Sequence, residues 1–263
     1  MGVQDFLRSV ETPRHHALGQ TNVGFYAVFL PDGYDDEANV ARRYPLCVLL
    51  HGQGSTETKL ADRIFPALRL PDVLYVAPRA PHAHDEAFSR GEPGFRAWPM
   101  AWSRWGEPGF PREDVEAMDV PRLYTDWIAR CVDDVRRRYR VDAGKVMVVG
   151  GSEGATYAHV FSAHHPDLVA RYFAYAGGPF GFTLTDQTCA REFKAHAVLP
   201  LIAHNRRDPE NNFEGSEELA AYLESHGVPH ATCFPDDEVH QFTEKVLERG
   251  RAFMEDWIGS TKR

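Results

Sequence analysis

Residues 146–154, with the sequence VMVVGGSEG, constrain the fold more than any other part of the chain. The opening VMVV run is apolar and mostly β-branched, which is typical of a buried strand in a parallel sheet. The following GGSEG matches the pattern G-x-S-x-G around Ser152, and residues 155–163 have the pattern of a helix. This order predicts a sharp strand–turn–helix junction that presents Ser152 at a helix N-terminus, where developing negative charge is favoured. We therefore expect Ser152 to be a nucleophile.

Apolar runs and helical patterns alternate along the rest of the chain. Further strands are predicted at residues 22–30, 44–50, 73–77, 172–176, 198–204 and 231–234. Further helices are predicted at residues 56–68, 123–139, 214–226 and 241–258, with residues 1–21 and 177–196 irregular. Such alternation predicts βαβ units, and hence an α/β fold with a mostly parallel sheet flanked by helices on both faces. We expect one domain over residues 1–263, in which residues 78–121 form an aromatic-rich, loop-like or lid-like insertion.

A serine hydroxyl is a weak nucleophile unless a base accepts its proton and an acid orients that base. In a parallel α/β sheet such groups gather at the carboxyl ends of the strands. Asp208 follows a predicted strand and is expected to be the acid, with Glu210 and Glu214 as alternatives. His240 is expected to be the base, because no other histidine lies so near the carboxyl end of the last predicted strand.

A glycine-rich turn, HGQG, follows the predicted strand at residues 44–50. Turns of this kind leave backbone N–H groups able to point at an oxyanion, so we expect the N–H of Gln53 to be one donor. The second expected donor is the N–H of Glu153, the residue after Ser152. Each such donor typically contributes about 3–4 kcal/mol to the transition state.

Three tryptophans in the insertion, Trp98, Trp102 and Trp105, have helical i, i+4, i+7 spacing. Two interpretations stay open: a stripe that packs against the domain, or an aromatic, substrate-binding wall above Ser152. The second interpretation favours an ester with a bulky or aromatic acyl group.

No metal or other cofactor is predicted. His82, His84, Asp85 and Glu86 lie in a predicted loop and lack the two-turn helical spacing of the motif H-E-x-x-H.

Composition narrows the class of partner. The net charge of −9 argues against nucleic acid, and no apolar run is long enough to span a membrane. Residues 1–20 lack the apolar region of a secretory signal, and the 4 cysteines are far apart. Both observations favour a cytoplasmic protein with reduced thiols. We expect a small-molecule ester as partner, and a homodimer stays open.

The quoted residues resemble those of the α/β-hydrolase superfamily over residues 22–258. The segments YPLCVLLHGQGS, RRRYRVDAGKVMVVGGSEGA and HHPDLVARYFAYAGG are most similar to the esterase D and polyhydroxyalkanoate-depolymerase-like branch of serine esterases. The chain order Ser152, Asp208, His240 is the order of that superfamily. The resemblance implies a triad of these three residues, the oxyanion donors named above, and no cofactor.

Together these patterns predict a serine hydrolase that cleaves carboxylic esters through an acyl-enzyme intermediate. Cleavage of thioesters, amides or peptides by the same triad is an alternative. A second alternative is a ligand-binding protein that keeps the fold without turnover.

Overall fold

The computed structural model of the protein describes most of the chain. The described residues are 13–19, 23–59, 67–83, 100–101, 120–178 and 187–260. Trp98, Trp102 and Trp105 lie outside them, as does nearly all of the predicted insertion, so the two interpretations of the tryptophans both stand.

The described strands form two sheets. In chain order they are β1 (Pro13–Gly19), β2 (Val23–Phe29), β3 (Tyr44–Leu50), β4 (Leu74–Pro78), β5 (His82–Ala83), β6 (Met100–Ala101), β7 (Val141–Gly151), β8 (Arg171–Tyr175), β9 (Leu199–Ala203) and β10 (Ala231–Cys233). The main sheet has eight strands in the order β1-β2-β4-β3-β7-β8-β9-β10, and β5 pairs with β6 in a small separate sheet.

Helices follow or precede most of these strands. They are α1 (Val120–Arg138), α2 (Glu153–His164), α3 (Gln187–His196), α4 (Glu214–Ser225) and α5 (Glu244–Gly259). A short 3-10 helix covers Glu37–Asn39, and residues 57–59 and 67–68 are also helical. Within the described part of the chain, no helix is both long and apolar enough to cross a membrane.

The direction of the strands decides where functional side chains meet. Strand β2 pairs antiparallel with both β1 and β4, whereas every pairing from β4 through β3, β7, β8 and β9 to β10 is parallel. The carboxyl ends of these parallel strands therefore share one edge of the sheet. The segments that follow β3, β7, β9 and β10 hold all the predicted catalytic and oxyanion residues.

Alternate residues of each central strand are buried on opposite faces of the sheet. In β7, Val146 and Val148 belong to one apolar cluster, which also includes residues of α1, α2, α3 and α4. Met147 and Val149 belong to the other cluster, which α5 covers. Helices therefore cover both faces, and the predicted α/β arrangement is confirmed. All 4 cysteines are free thiols.

Two predictions of irregular structure were wrong. Residues 1–21 include β1, which pairs with β2 through backbone hydrogen bonds at the edge of the sheet, so its formation needs no apolar run. Residues 177–196 include α3, a short helix that buries only Cys189, Ala190 and Phe193. So few apolar positions give a weak helical pattern.

Candidate active site

Ser152 stands on a strained turn between β7 and α2. Its backbone has φ 56° and ψ −126°, a conformation that costs a residue with a side chain about 1–3 kcal/mol. The turn is held by a hydrogen bond from the Ser152 N–H to the carbonyl oxygen of Tyr175, at 2.8 Å. The structure thus has the predicted strand–turn–helix junction, with Ser152 immediately before the first turn of α2.

Glycines make this close junction sterically feasible. A Cβ atom on Gly150 would lie 2.1 Å from the carbonyl oxygen of Gly154, and a Cβ on Gly154 would lie 2.1 Å from that of Leu50. A Cβ on Gly151 would lie 2.8 Å from the ring of Phe242. Because Phe242 follows the predicted base by two residues, this last contact places the segment after β10 against the Ser152 turn.

Asp208 and His240 are hydrogen-bonded to each other. Nδ1 of His240 lies 2.7 Å from Oδ2 of Asp208, and the Asp208 side chain is 0% exposed. The other carboxylate oxygen, Oδ1, accepts the backbone N–H groups of Glu210 at 2.8 Å and Asn211 at 3.1 Å. Both oxygens therefore have donors, which fixes the orientation of the carboxylate.

These donors keep Asp208 ionised. Burial by itself raises the pKa of Asp208, but the hydrogen bonds from His240 and two backbone N–H groups outweigh it, so this pKa is below its ordinary value. Within the part of the chain that the structure describes, neither of the alternative acids, Glu210 and Glu214, hydrogen-bonds to His240 with its carboxylate. Geometry thus favours Asp208 as the partner of His240.

Two buried residues that the sequence did not single out hold the loop around His240. The amide Nδ2 of Asn205 donates to the carbonyl oxygens of Val239 at 2.8 Å and Gln241 at 3.1 Å. The hydroxyl of Tyr175 donates to the same Gln241 oxygen at 2.7 Å. The backbone on both sides of His240 is therefore fixed. In the sequence, Asn205 is marked only by its place in the polar segment HNRRD, which directly follows a fully apolar strand.

The turn after β3 lies against Ser152. A Cβ on Gly52 would lie 3.1 Å from the Cβ of Ser152. The turn is fixed by His51, whose Nε2 accepts the backbone N–H of Ala80 at 3.1 Å. Nδ1 of that ring therefore carries the proton and donates to the carbonyl oxygen of Gly52 at 2.9 Å. Burial lowers the pKa of His51 to about 4, so the ring is neutral and holds the turn.

A polar cleft of about 400 Å³ opens beside Ser152, and Gln53 and Glu153 both line it. The wall also includes Asn211, Asn212, Glu214 and Glu218. Among the described residues, no aromatic side chain lines this cleft.

The Ser152 hydroxyl is oriented toward an amide in this structure. Nδ2 of Asn211 lies 3.4 Å from Ser152 Oγ and donates to the carbonyl oxygen of Ala176 at 2.6 Å. The structure places no direct hydrogen bond between Ser152 and His240, both of which it describes. The predicted acid and base are thus hydrogen-bonded to each other, whereas the predicted nucleophile, Ser152, is not hydrogen-bonded to His240.

In the described part of the chain, no group of three or more His, Cys, Asp or Glu side chains could hold a metal ion. Of the possible metal ligands in residues 82–86, His82 is in β5, while His84, Asp85 and Glu86 lie outside the described residues.

Comparison with curated proteins finds partial relatives. No model of a known protein family matches the chain. Acetylxylan esterase A of Emericella nidulans is 44% identical over 119 residues, which are 42% of this chain and 38% of that protein. Probable acetylxylan esterase A of Aspergillus flavus is 39% identical over 72 residues, 24% of each chain. The chain thus matches well under half the length of these relatives.

Solved structures match over most of the chain. The crystal structure of esterase PE8 has a TM-score of 0.64 at 21% identity, covering 82% of this chain and 94% of that one. The Bacillus cereus carboxylesterase has a TM-score of 0.61 at 15% identity, covering 97% and 100%. At these identities the likeness shows the fold. The chain therefore has the α/β-hydrolase fold that the sequence resemblance implied.

Proposed function

We propose that the protein hydrolyses carboxylic esters, with Ser152 as nucleophile, His240 as base and Asp208 as the orienting acid. The observation that carries the proposal is the 2.7 Å contact between Nδ1 of His240 and the buried carboxylate of Asp208, at the sheet edge that also holds Ser152. The names of the partial relatives, which are acetylxylan esterases, support the same class of reaction.

In this mechanism the Ser152 hydroxyl attacks the ester carbonyl while Nε2 of His240 accepts its proton. Asp208 stabilises the resulting imidazolium. The negative charge on the tetrahedral intermediate is bound by the backbone N–H groups of Gln53 and Glu153. His240 then protonates the leaving alcohol, which leaves an acyl group on Ser152. Water, deprotonated by the same histidine, attacks the acyl-enzyme and releases the carboxylic acid.

The separation of Ser152 from His240 in the resting structure fits this scheme. Catalytic hydrogen bonds are often long or misaligned before substrate binds and tighten in the substrate complex. In the proposed reaction the Ser152 side chain turns from Asn211 toward His240. Asn211 then has an amide hydrogen available for the substrate, because it stands at the wall of the cleft.

A narrower candidate is the hydrolysis of small acyl esters of hydroxylated alcohols such as carbohydrates. The amide and carboxylate side chains of Asn211, Asn212, Glu214 and Glu218 suit hydroxyl groups better than aromatic rings. The relatives are named for acetylated xylan, which belongs to this chemical class. Comparing kcat/KM for an acetylated xylo-oligosaccharide and for ethyl benzoate tests this candidate against an apolar ester with a bulky, aromatic acyl group.

The proposal is tested by replacing Ser152 with Ala. We expect kcat/KM for p-nitrophenyl acetate to fall by at least about 10³-fold, and a fluorophosphonate probe to stop labelling the protein. Ser225→Ala is the matched control, because Ser225 is exposed at the end of α4 and its hydroxyl contacts neighbouring residues, the carbonyl oxygen of Tyr222 at 2.9 Å and Nδ1 of His226 at 3.1 Å. Labelling of Ser152→Ala at the wild-type rate would place the nucleophile elsewhere.

The same experiment separates the alternatives. A ligand-binding protein without turnover would not react rapidly with the probe, since rapid labelling needs an activated serine. If the wild-type protein is labelled but cleaves no ester, matched thioester and amide substrates decide between the remaining reactions.

A further inference from the structure

His204 is a second histidine that contacts the carboxylate of Asp208. Its Nε2 atom lies 3.2 Å from Asp208 Oδ2, the same oxygen that binds Nδ1 of His240. The side chains of His204 and Asp208 are 1% and 0% exposed. Electrostatic contacts are stronger in such a shielded place than at the surface. The 3.2 Å contact is not aligned as a hydrogen bond in the structure, but Asp208 Oδ2 is the charged oxygen beside Nε2, so a proton on this atom would be attracted to it.

The other nitrogen of the ring indicates where that proton lies. Nδ1 of His204 is 2.8 Å from Oγ of Ser216, and this Oγ is 3.2 Å from the carbonyl oxygen of Gly177. The Ser216 hydroxyl has one proton and can donate to only one of these acceptors. If it donates to His204, the ring carries its proton on Nε2, directed at Asp208. If it donates to Gly177, a ring lone pair faces the carboxylate, which is unfavourable.

His204 stays neutral beside this carboxylate. Burial lowers the pKa of His204 by more than the negative charge of Asp208 raises it, and His240 adds to the lowering. The titratable side chains that face the ring are Asp208, His240 and Tyr175, whose ring centroid is 6.3 Å away. A neutral donor stabilises the carboxylate without competing with His240 for the proton of the nucleophile.

We propose that His204 is a positioning residue for the reaction. Its Nε2–H holds Oδ2 of Asp208 in the orientation that binds His240, and Ser216 selects the ring tautomer that makes this possible. This inference rests on the proposed function, because Asp208 has to orient His240 only if His240 is the base. His204 lies outside the residues that line the cleft, so its contribution belongs to kcat and not to substrate binding.

Two amide variants test the donor directly. In His204→Gln the side-chain amide reaches the position of Nε2, whereas in His204→Asn it reaches only the position of Nδ1 and can still bond to Ser216. We expect kcat of His204→Asn to fall about tenfold or more, as for the loss of a hydrogen bond to a charged group. We expect KM to stay within about twofold of wild type. His204→Gln should restore most of kcat, although both variants lose ring packing. Equal kcat in the two folded variants would overturn the proposal.

A measurement on the wild-type protein keeps the proposal testable if either variant fails to fold. The ¹⁵N chemical shifts of a neutral histidine distinguish the Nδ1–H and Nε2–H tautomers. We expect the Nε2–H tautomer for His204 at pH 7, and the Nδ1–H tautomer would overturn the assignment. This result does not depend on turnover. Wild-type activity in Ser152→Ala, measured in parallel, would instead show that the proposed function has failed.

Discussion

Replacing His51 with Gln should make the fold less sensitive to mild acid. His51 is 0% exposed and accepts the backbone N–H of Ala80 at 3.1 Å through Nε2. A proton on Nε2 would face that N–H, which is itself a donor, so the hydrogen bond to Ala80 would be lost. A Gln side chain can offer its amide oxygen to the same N–H group but does not titrate. The substitution therefore removes the titration and keeps a partner for Ala80.

The size of the effect follows from the pKa of His51. Burial lowers this pKa from 6.5 to about 4 in the folded protein, so the unfolded chain binds a proton at higher pH than the folded chain. Stability that is present above pH 6.5 is thus lost as the pH falls toward 4. At about 1.4 kcal/mol per pKa unit, the loss between pH 7 and pH 5 is about 2 kcal/mol.

Urea unfolding at pH 7 and pH 5 measures this loss. Between the two pH values, the unfolding free energy of the wild type should fall about 2 kcal/mol further than that of His51→Gln. Other titrating groups cancel in this comparison because both proteins contain them. His196→Gln is the matched control, since His196 is exposed at the end of α3. An equal loss in wild type and His51→Gln would refute the reasoning.

Three further substitutions examine the site. Asp208→Asn should lower kcat by roughly 10³–10⁴-fold, because the wrong tautomer of the base is favoured. A larger loss of kcat in Glu210→Gln would show that Glu210, and not Asp208, is the acid. Gly151→Ala should lower the free energy of unfolding, measured in urea, by about 1–3 kcal/mol, since its Cβ would lie 2.8 Å from the Phe242 ring. Adding Phe242→Leu to this variant should recover part of the lost stability. Trp102→Ala should lower kcat/KM for bulky aromatic acyl esters, by a loss of transition-state stabilisation of about 1–3 kcal/mol. It should leave kcat/KM for acetyl esters unchanged. A uniform loss with a lower melting temperature would instead indicate packing.

The central strands and the Ser152 turn were predictable because local sequence determines them. Strand β3 has the bounds that its apolar run predicts, Tyr44–Leu50, since a strand buried on both faces must be apolar throughout. The candidate acid and base could be placed because parallel strands bring their carboxyl ends to one edge. Strand β1 was missed for the opposite reason: backbone pairing to β2 defines it, and such pairing leaves little trace in side-chain pattern.

The residues that support the site could not be assigned in the same way. Asn205 donates to Val239 and Arg207 donates to the carbonyl oxygen of Asp236 at 2.9 Å, contacts that join two loops distant in sequence. The sequence shows only that both segments are polar. Which side chain turns inward depends on the backbone of both loops, and that is a property of the folded chain.

Residues 204–211 form one loop that contains the proposed acid and contacts the proposed base and nucleophile. Asp208 binds His240 directly, Asn205 fixes the backbone on both sides of that histidine, and Asn211 contacts the hydroxyl of Ser152. A change in the backbone of this loop would move all three interactions together. Under the proposed function we therefore expect substrate preference to vary most freely at cleft residues outside the loop, such as Glu218, because their side chains line the cleft without contacting the proposed base or acid.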